Sequence, residues 1–122
     1  MQRNGLLPAD FAQFFAERWI AAWNAGDLSA ALALYSDDFE MRSPNIVAVA
    51  QEESGVLKGK AAVAAYWAAA IRQTPPQFAL LGVYAGIGCL AIRYRGRREV
   101  VEVLEFDDAN RIIRGSANWL AD

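Results

Sequence analysis

The chain has 122 residues, a net charge of −2, and a composition that is 55% apolar and 21% charged. That is the balance of one globular domain, and the mild acidity supplies no positive field to recruit nucleic acid or an anionic membrane. Histidine is absent and Cys89 is the single cysteine, which excludes Ser-His-Asp triads, His-activated thiols, His-ligated zinc and any internal disulfide.

Residues 1–10 carry Arg3 but no apolar signal core. The longest uncharged apolar stretch, 78–92, is interrupted by Gly82, Gly86 and Gly88. It is also shorter than the roughly 20 residues of a membrane helix. The default expectation is a cytoplasmic protein without membrane contact, in keeping with the lack of disulfides. No repeat or linker divides the chain, so residues 1–122 read as a single domain.

The first helix is predicted over 8–25. Pro8 suits a first turn, and Phe11, Phe15, Trp19, Ala22 and Trp23 recur every three or four residues on one face. Gly26 stops it, and Asp27 is a good N-cap for a short second helix over 28–35. In 39–43, Phe39, Met41 and Ser43 alternate with Glu40 and Arg42, as in a strand that Pro44 ends. Asp37-Asp38 reads as the turn before it, with no further ligand for a metal. Residues 45–58 lack clear periodicity and read as a long loop, with room for a short strand at 46–50.

A third helix is predicted over 59–73. Its segment 61–71 is apolar on every side and should be covered on more than one face. Thr74-Pro75-Pro76 stops it. Four strands follow, over 77–84, 89–95, 98–106 and 111–120, separated by Gly86/Gly88, by Gly96 and by the turn 107–110. Helices followed by an antiparallel meander make an α+β pattern, with helices on one face of a curved sheet.

The strand 98–106 carries the most informative residue. Its even positions are Arg98, Val100, Glu102, Leu104 and Phe106, so one acid sits among apolar neighbours. If that face lines the interior, desolvation raises the Glu102 pKa and the carboxyl can shuttle a proton. The alternatives are a solvated face, or a buried arginine beside Glu102. In the last strand, inward Trp119 would bring Ala117, Gly115 and Ile113 with it. Two of these are tiny, which means either an unfilled cavity or close packing of a helix. Trp19, Trp23, Tyr66, Trp67 and Trp119 form an aromatic set suited to a core or to a pocket wall. Arg93, Arg95, Arg97 and Arg98 surround Gly96 as a solvated hairpin tip. Phosphate or nucleic-acid binding there is the remote alternative. Cys89, with no histidine to activate it, reads as a packing residue.

The segments 15–27 (FAERWIAAWNAGD), 34–39 (LYSDDF), 57–63 (LKGKAAV) with Tyr66-Trp67, and Glu105-Phe106-Asp107 with Arg111-Ile112 resemble the nuclear transport factor 2-like superfamily, in its SnoaL-like and ketosteroid-isomerase-like branch. The resemblance spans nearly everything from Phe11 to Trp119. It implies a cone, a strongly curved antiparallel sheet wrapped around three helices with one apolar cavity. It also implies a homodimer through the outer sheet face, where Val101 and Val103 lie between Glu99 and Glu105. The fold hosts enzymes and non-enzymes alike.

Residue by residue, the isomerase family's oxyanion tyrosine is replaced by Trp19, and its base aspartate by Ser43 before Pro44. Its protonated second acid is matched by Glu102, and its pocket aromatic by Trp119. With two of three catalytic groups changed, the steroid-isomerase mechanism does not carry over. The polyketide-cyclase branch needs one cavity carboxylate and no cofactor, a part Glu102 could fill. Asn118 is turned away from Glu102 by strand alternation. The Arg-x-Asp pair of the epoxide-hydrolase relatives is absent. The expected pocket comprises Trp19, Trp23, Tyr35, Met41, Ser43, Tyr66, Trp67, Leu104, Ala117 and Trp119 around Glu102. The expected ligand is a small apolar, ring-containing metabolite, with no metal or cofactor. The choice between cofactor-free acid/base catalysis of the isomerase, cyclase or dehydratase type and a non-catalytic dimeric binding or scaffold module stays open.

Overall fold

The computed structural model describes residues 5–121, so Arg3 and the rest of 1–4 lie outside the described residues. The elements run α1 (Ala9–Asn24), α2 (Leu28–Leu32), β1 (Tyr35–Arg42), α3 (Pro44–Val49), β2 (Val56–Lys58) and α4 (Lys60–Gln73). The strands β3 (Ala79–Ala85), β4 (Cys89–Arg95), β5 (Glu99–Phe106) and β6 (Ile112–Trp119) follow. The six strands form one curled sheet in the order β2-β1-β6-β5-β4-β3. All pairings are antiparallel except β1 with β6, which is parallel. The α+β class and the helix-filled cone are as expected. The sheet is therefore a meander whose last strand inserts beside the first.

Of the predicted α1 face, Phe15, Trp19 and Trp23 are buried together with Ala12, Ala16 and Ile20, while Phe11 and Ala22 are half-buried. Gly26 adopts φ +66°, and Asp27 caps α2 by accepting from Ala30 N–H at 3.0 Å. The boundary between α2 and β1 differs from the prediction. The helix ends at Leu32 and the strand already begins at Tyr35. Asp37 and Asp38 lie within β1, exposed, where the register with β6 shifts between Tyr35 and Glu40. A pair of exposed acids can sit in a bulged strand as easily as in a turn.

The expected loop 45–58 instead contains α3 and β2. Ser43 is extended, accepts from Asn45 N–H at 3.1 Å and precedes Pro44 at the first helical position. That is an N-cap followed by proline. The expected strand at 46–50 is thus a helix, and the cone holds a fourth, short helix. Along α4, only Val63, Tyr66 and Trp67 are buried, while Ala61, Ala62 and Ala65 are exposed. The helix packs on one face. Its uniform apolarity is alanine chosen for helix propensity, not a sign of all-round cover.

On β6 the inward set is Ile112, Gly115 and Ala117, not Ile113. A register shift opposite Glu105/Phe106 turns the strand by one residue there. Gly115 leaves no void. A Cβ at that position would stand 3.1 Å from Leu104 Cδ2 and 3.3 Å from the Phe39 ring. The two small residues of β6 thus have different uses, since Gly115 admits Phe39 and Leu104 whereas Ala117 borders a cavity. Among the described residues, no helix is long and apolar enough to cross a membrane, and no cluster of potential metal ligands is present.

Candidate functional site: a tryptophan-walled cavity over Glu102

A cavity of about 620 Å³ lies between the helices and the inner face of the sheet. Trp19 and Trp23 come to it from α1, and Tyr66 and Trp67 from α4. Met41 and Ser43 reach it from the end of β1, Glu102 from β5, and Ala117 and Trp119 from β6. Two residues expected in the wall are elsewhere. Leu104 is fully buried one step beyond Glu102, packed against Gly115, and Tyr35 lies behind the wall in the core. Tyr35 is held there by stacking edge-on to Phe39 and Trp67, with ring centroids 4.4 and 4.9 Å away.

Glu102 is 4% exposed, so β5 does turn its even face inward. Neither alternative, a solvated face or a buried arginine, holds for Glu102. The structure places Arg93 on the other face, ion-paired to Glu99 at 2.9 Å, and gives Glu102 a tyrosine instead. Tyr94 on β4 donates its hydroxyl to Glu102 Oε1 at 3.0 Å. The register sets this up, because Ile92 stands opposite Glu102 and Tyr94 is the next inward residue of β4. Burial pushes the carboxyl up from 4.5 to about 7, and the Tyr94 hydrogen bond, which favours the charged form, holds it from going further. The phenols of Tyr35 and Tyr94 are raised far above their ordinary value by burial and by the nearby Glu102 charge, so both remain protonated donors.

Trp19 points its ring into the cavity, but its Nε1–H donates to the Tyr35 hydroxyl at 2.9 Å. The N–H that the isomerase resemblance would assign to an oxyanion is thereby engaged within the core. The remaining polar groups facing the cavity beside Glu102 are Tyr66, Asn45 and Ser43. Burial raises the Tyr66 phenol, while hydrogen bonding to Asn45 and Ser43 partly offsets this. Asn118 points outward as expected, donating to Val101 O at 3.1 Å and to Ser116.

Exposure grades from the floor to the mouth. Glu102, Tyr94, Trp19 and Trp67 are buried, whereas Trp119 at 36% is partly open, with the Arg98 guanidinium stacked 3.7 Å over its ring. The segment 74–78 forms one lip. Asn24 ties it to α1, its Oδ1 accepting from Phe78 N–H at 2.7 Å and its Nδ2 donating to Phe78 O at 3.0 Å. The hairpin tip leans on the same place, because a Cβ on Gly96 would stand 3.0 Å from the Phe78 ring. Tyr94, Asn45, Phe78 and Asn24 were not among the predicted site residues. The alternation Leu90, Ile92, Tyr94 was the available signal for the most important of them.

The SnoaL-like domain family matches residues 16–114. Among solved structures, a SnoaL-like protein of unknown function from Burkholderia thailandensis shares 42% identity at a TM-score of 0.90, covering 95% of this chain and 99% of that one. A protein of unknown function with a cystatin-like fold from Methylobium petroleophilum shares 16% identity at a TM-score of 0.73, covering 96% and 80%. A candidate ketosteroid isomerase from Kribbella flavida shares 17% at 0.67, covering 93% and 80%. At such low identity the last two speak for the fold alone. No curated protein matches the sequence. With nearly the whole cone inside the matched span, the chain belongs to the SnoaL-like family.

Proposed function

We propose that this protein binds a small apolar, ring-containing molecule in its cavity and moves a proton on it through Glu102, without a cofactor. The observation that carries this reading is a carboxyl on the floor of an aromatic cavity, one oxygen held by Tyr94 and the group poised to titrate at about 7. An acid with a pKa near ambient pH is both base and acid in useful proportion. As a base, the Glu102 carboxylate takes a proton from carbon next to a carbonyl, leaving an enolate and a carboxylic acid. Returning that proton to another atom of the same molecule completes an isomerisation. Cyclisation and dehydration use the same two half-steps. Tyr66 and Asn45 are the polar groups in position to meet a developing oxyanion.

A second reading is a non-catalytic binding or scaffold module, favoured by the engagement of the Trp19 N–H with Tyr35. In both readings the protein pairs with a second copy through the outer sheet face, where half-buried Val101 and Val103 lie between the Arg93–Glu99 and Arg114–Glu105 ion pairs. The deciding experiment starts from a co-purified or screened cavity ligand. Solvent-deuterium exchange into that ligand is followed by NMR with wild type and Glu102→Gln. Exchange that disappears in the variant while binding persists supports catalysis. Binding without exchange in either protein leaves the module.

A further inference from the structure

We propose that the molecule this cavity accepts carries a carboxylate, held at the mouth by Arg97 and Arg98 while its apolar ring lies inward toward Glu102. The proposal rests on reading the cavity as a binding site and adds the charge of the ligand. Three charged residues line the cavity: Glu102 on the floor, and Arg97 and Arg98 at the rim. The other rim residues are neutral, among them Gln73, Thr74 and Gln77.

The four arginines of this hairpin are not equivalent. Arg93 and Arg95 share Glu99, at 2.9 and 3.6 Å. Among the described residues, Arg97 and Arg98 have no carboxylate within 4.0 Å. Arg98 is nevertheless held in place by its stack on Trp119. Stacking uses the face of the guanidinium and leaves its edge donors free, the fork that matches a carboxylate. The tip itself is held by the hydrogen bond from Gly96 N–H to Arg98 O, 3.0 Å, and by the fit of Gly96 against Phe78. In a chain of net charge −2, two such cations beside an aromatic opening are a local reversal of sign. Arg98 lies in the hairpin bend immediately before β5, four residues ahead of Glu102. At the rise of a strand this separates their backbones by roughly 13 Å, so a bicyclic body with a short acidic arm spans from floor to rim.

The test is a matched pair of ligands, 2-naphthylacetic acid and its neutral amide 2-naphthylacetamide, titrated into the intact protein by calorimetry in low salt at pH 6. There Glu102 is largely protonated and the ligand acid ionised. The expected result is binding of the acid at least five-fold tighter than the amide. In Arg97→Gln/Arg98→Gln, that ratio falls to within two-fold of one. Equal affinities in the wild type, or a preference that survives in the double variant, overturns the carboxylate while leaving the cavity reading intact. Failure of both ligands to bind at low-millimolar concentration overturns the cavity reading, and this proposal with it.

Discussion

The Tyr94 hydroxyl donates to Glu102 Oε1 at 3.0 Å, joining inward side chains of adjacent strands β4 and β5 within the buried floor of the cavity. This bond favours the ionised carboxyl, so its removal has a definite direction. Tyr94→Phe raises the Glu102 pKa further above its value of about 7. Carbon-13 titration of the labelled glutamate carboxyl reads the shift. An unchanged or lower pKa would show that the bond does not act on the charged form. The variant also loses a buried hydrogen bond, a cost of about 1 kcal/mol.

Stability falls as pH rises through the Glu102 titration. In the unfolded chain the carboxyl ionises from about 4.5, whereas the fold keeps its proton to about 7. Between these values the native state binds the extra proton, so raising the pH favours unfolding. The loss is complete above about 7 and is on the order of 3 kcal/mol. No histidine titrates in this window, and the neighbours that face Glu102, namely Tyr35, Tyr66 and Tyr94, have raised pKa values and stay neutral. Urea denaturation at pH 5 and pH 8.5 measures the difference. Glu102→Gln flattens it to less than about 1 kcal/mol, since the amide does not titrate.

Gly115→Ala destabilises the fold by about 1–3 kcal/mol through overpacking. The added methyl meets Leu104 at 3.1 Å and Phe39 at 3.3 Å, and both neighbours are completely buried. Thermal unfolding reads this. Ala117→Ser, two residues along the same strand at the cavity border, stays within about 0.5 kcal/mol of wild type by the same measurement.

Much of this site was legible as alternation. Glu102 between Val100 and Leu104, and Phe39, Met41 and Ser43 against Glu40 and Arg42, announce which face turns inward. What escaped has identifiable causes. Tyr94 was masked by Arg93 and Arg95 on either side, whose charge dominates the pattern although they point the other way. The helix α3 was masked by its brevity, even though Ser43-Pro44 is a cap followed by a helix-starting proline. The Asp37-Asp38 pair looked like a turn because acids are common in turns, and a bulged strand is a long-range result that no local window contains. The switch from Ile113 to Ile112 has the same origin, a register shift imposed by the neighbouring strand.

Asn24→Ala loosens the lip of the cavity. The side chain satisfies both the N–H and the C=O of Phe78, and its loss costs about 1–2 kcal/mol. Amide exchange rises at Gln77 and Phe78 and stays unchanged in the β4–β5 ladder. Uniform acceleration across the sheet would instead show that the clamp is global.

Val101→Lys/Val103→Lys tests the proposed pairing of two copies through the outer face by placing like charges on it. Sedimentation velocity is expected to show dimer for the wild type and monomer for the variant. A wild-type monomer, or a variant that remains dimeric, removes this face as the interface.

The parallel junction of β1 with β6 has a consequence for how the chain is made. Met41 cannot meet Gly115 until nearly everything between them has been synthesised. β6, the last strand of this sheet to be synthesised, occupies an internal slot between β1 and β5. Such distant pairing makes for slow closure, and until it happens the flank of β1 is an open edge. A nascent chain stalled before residue 112 is then a natural client for chaperones or proteases.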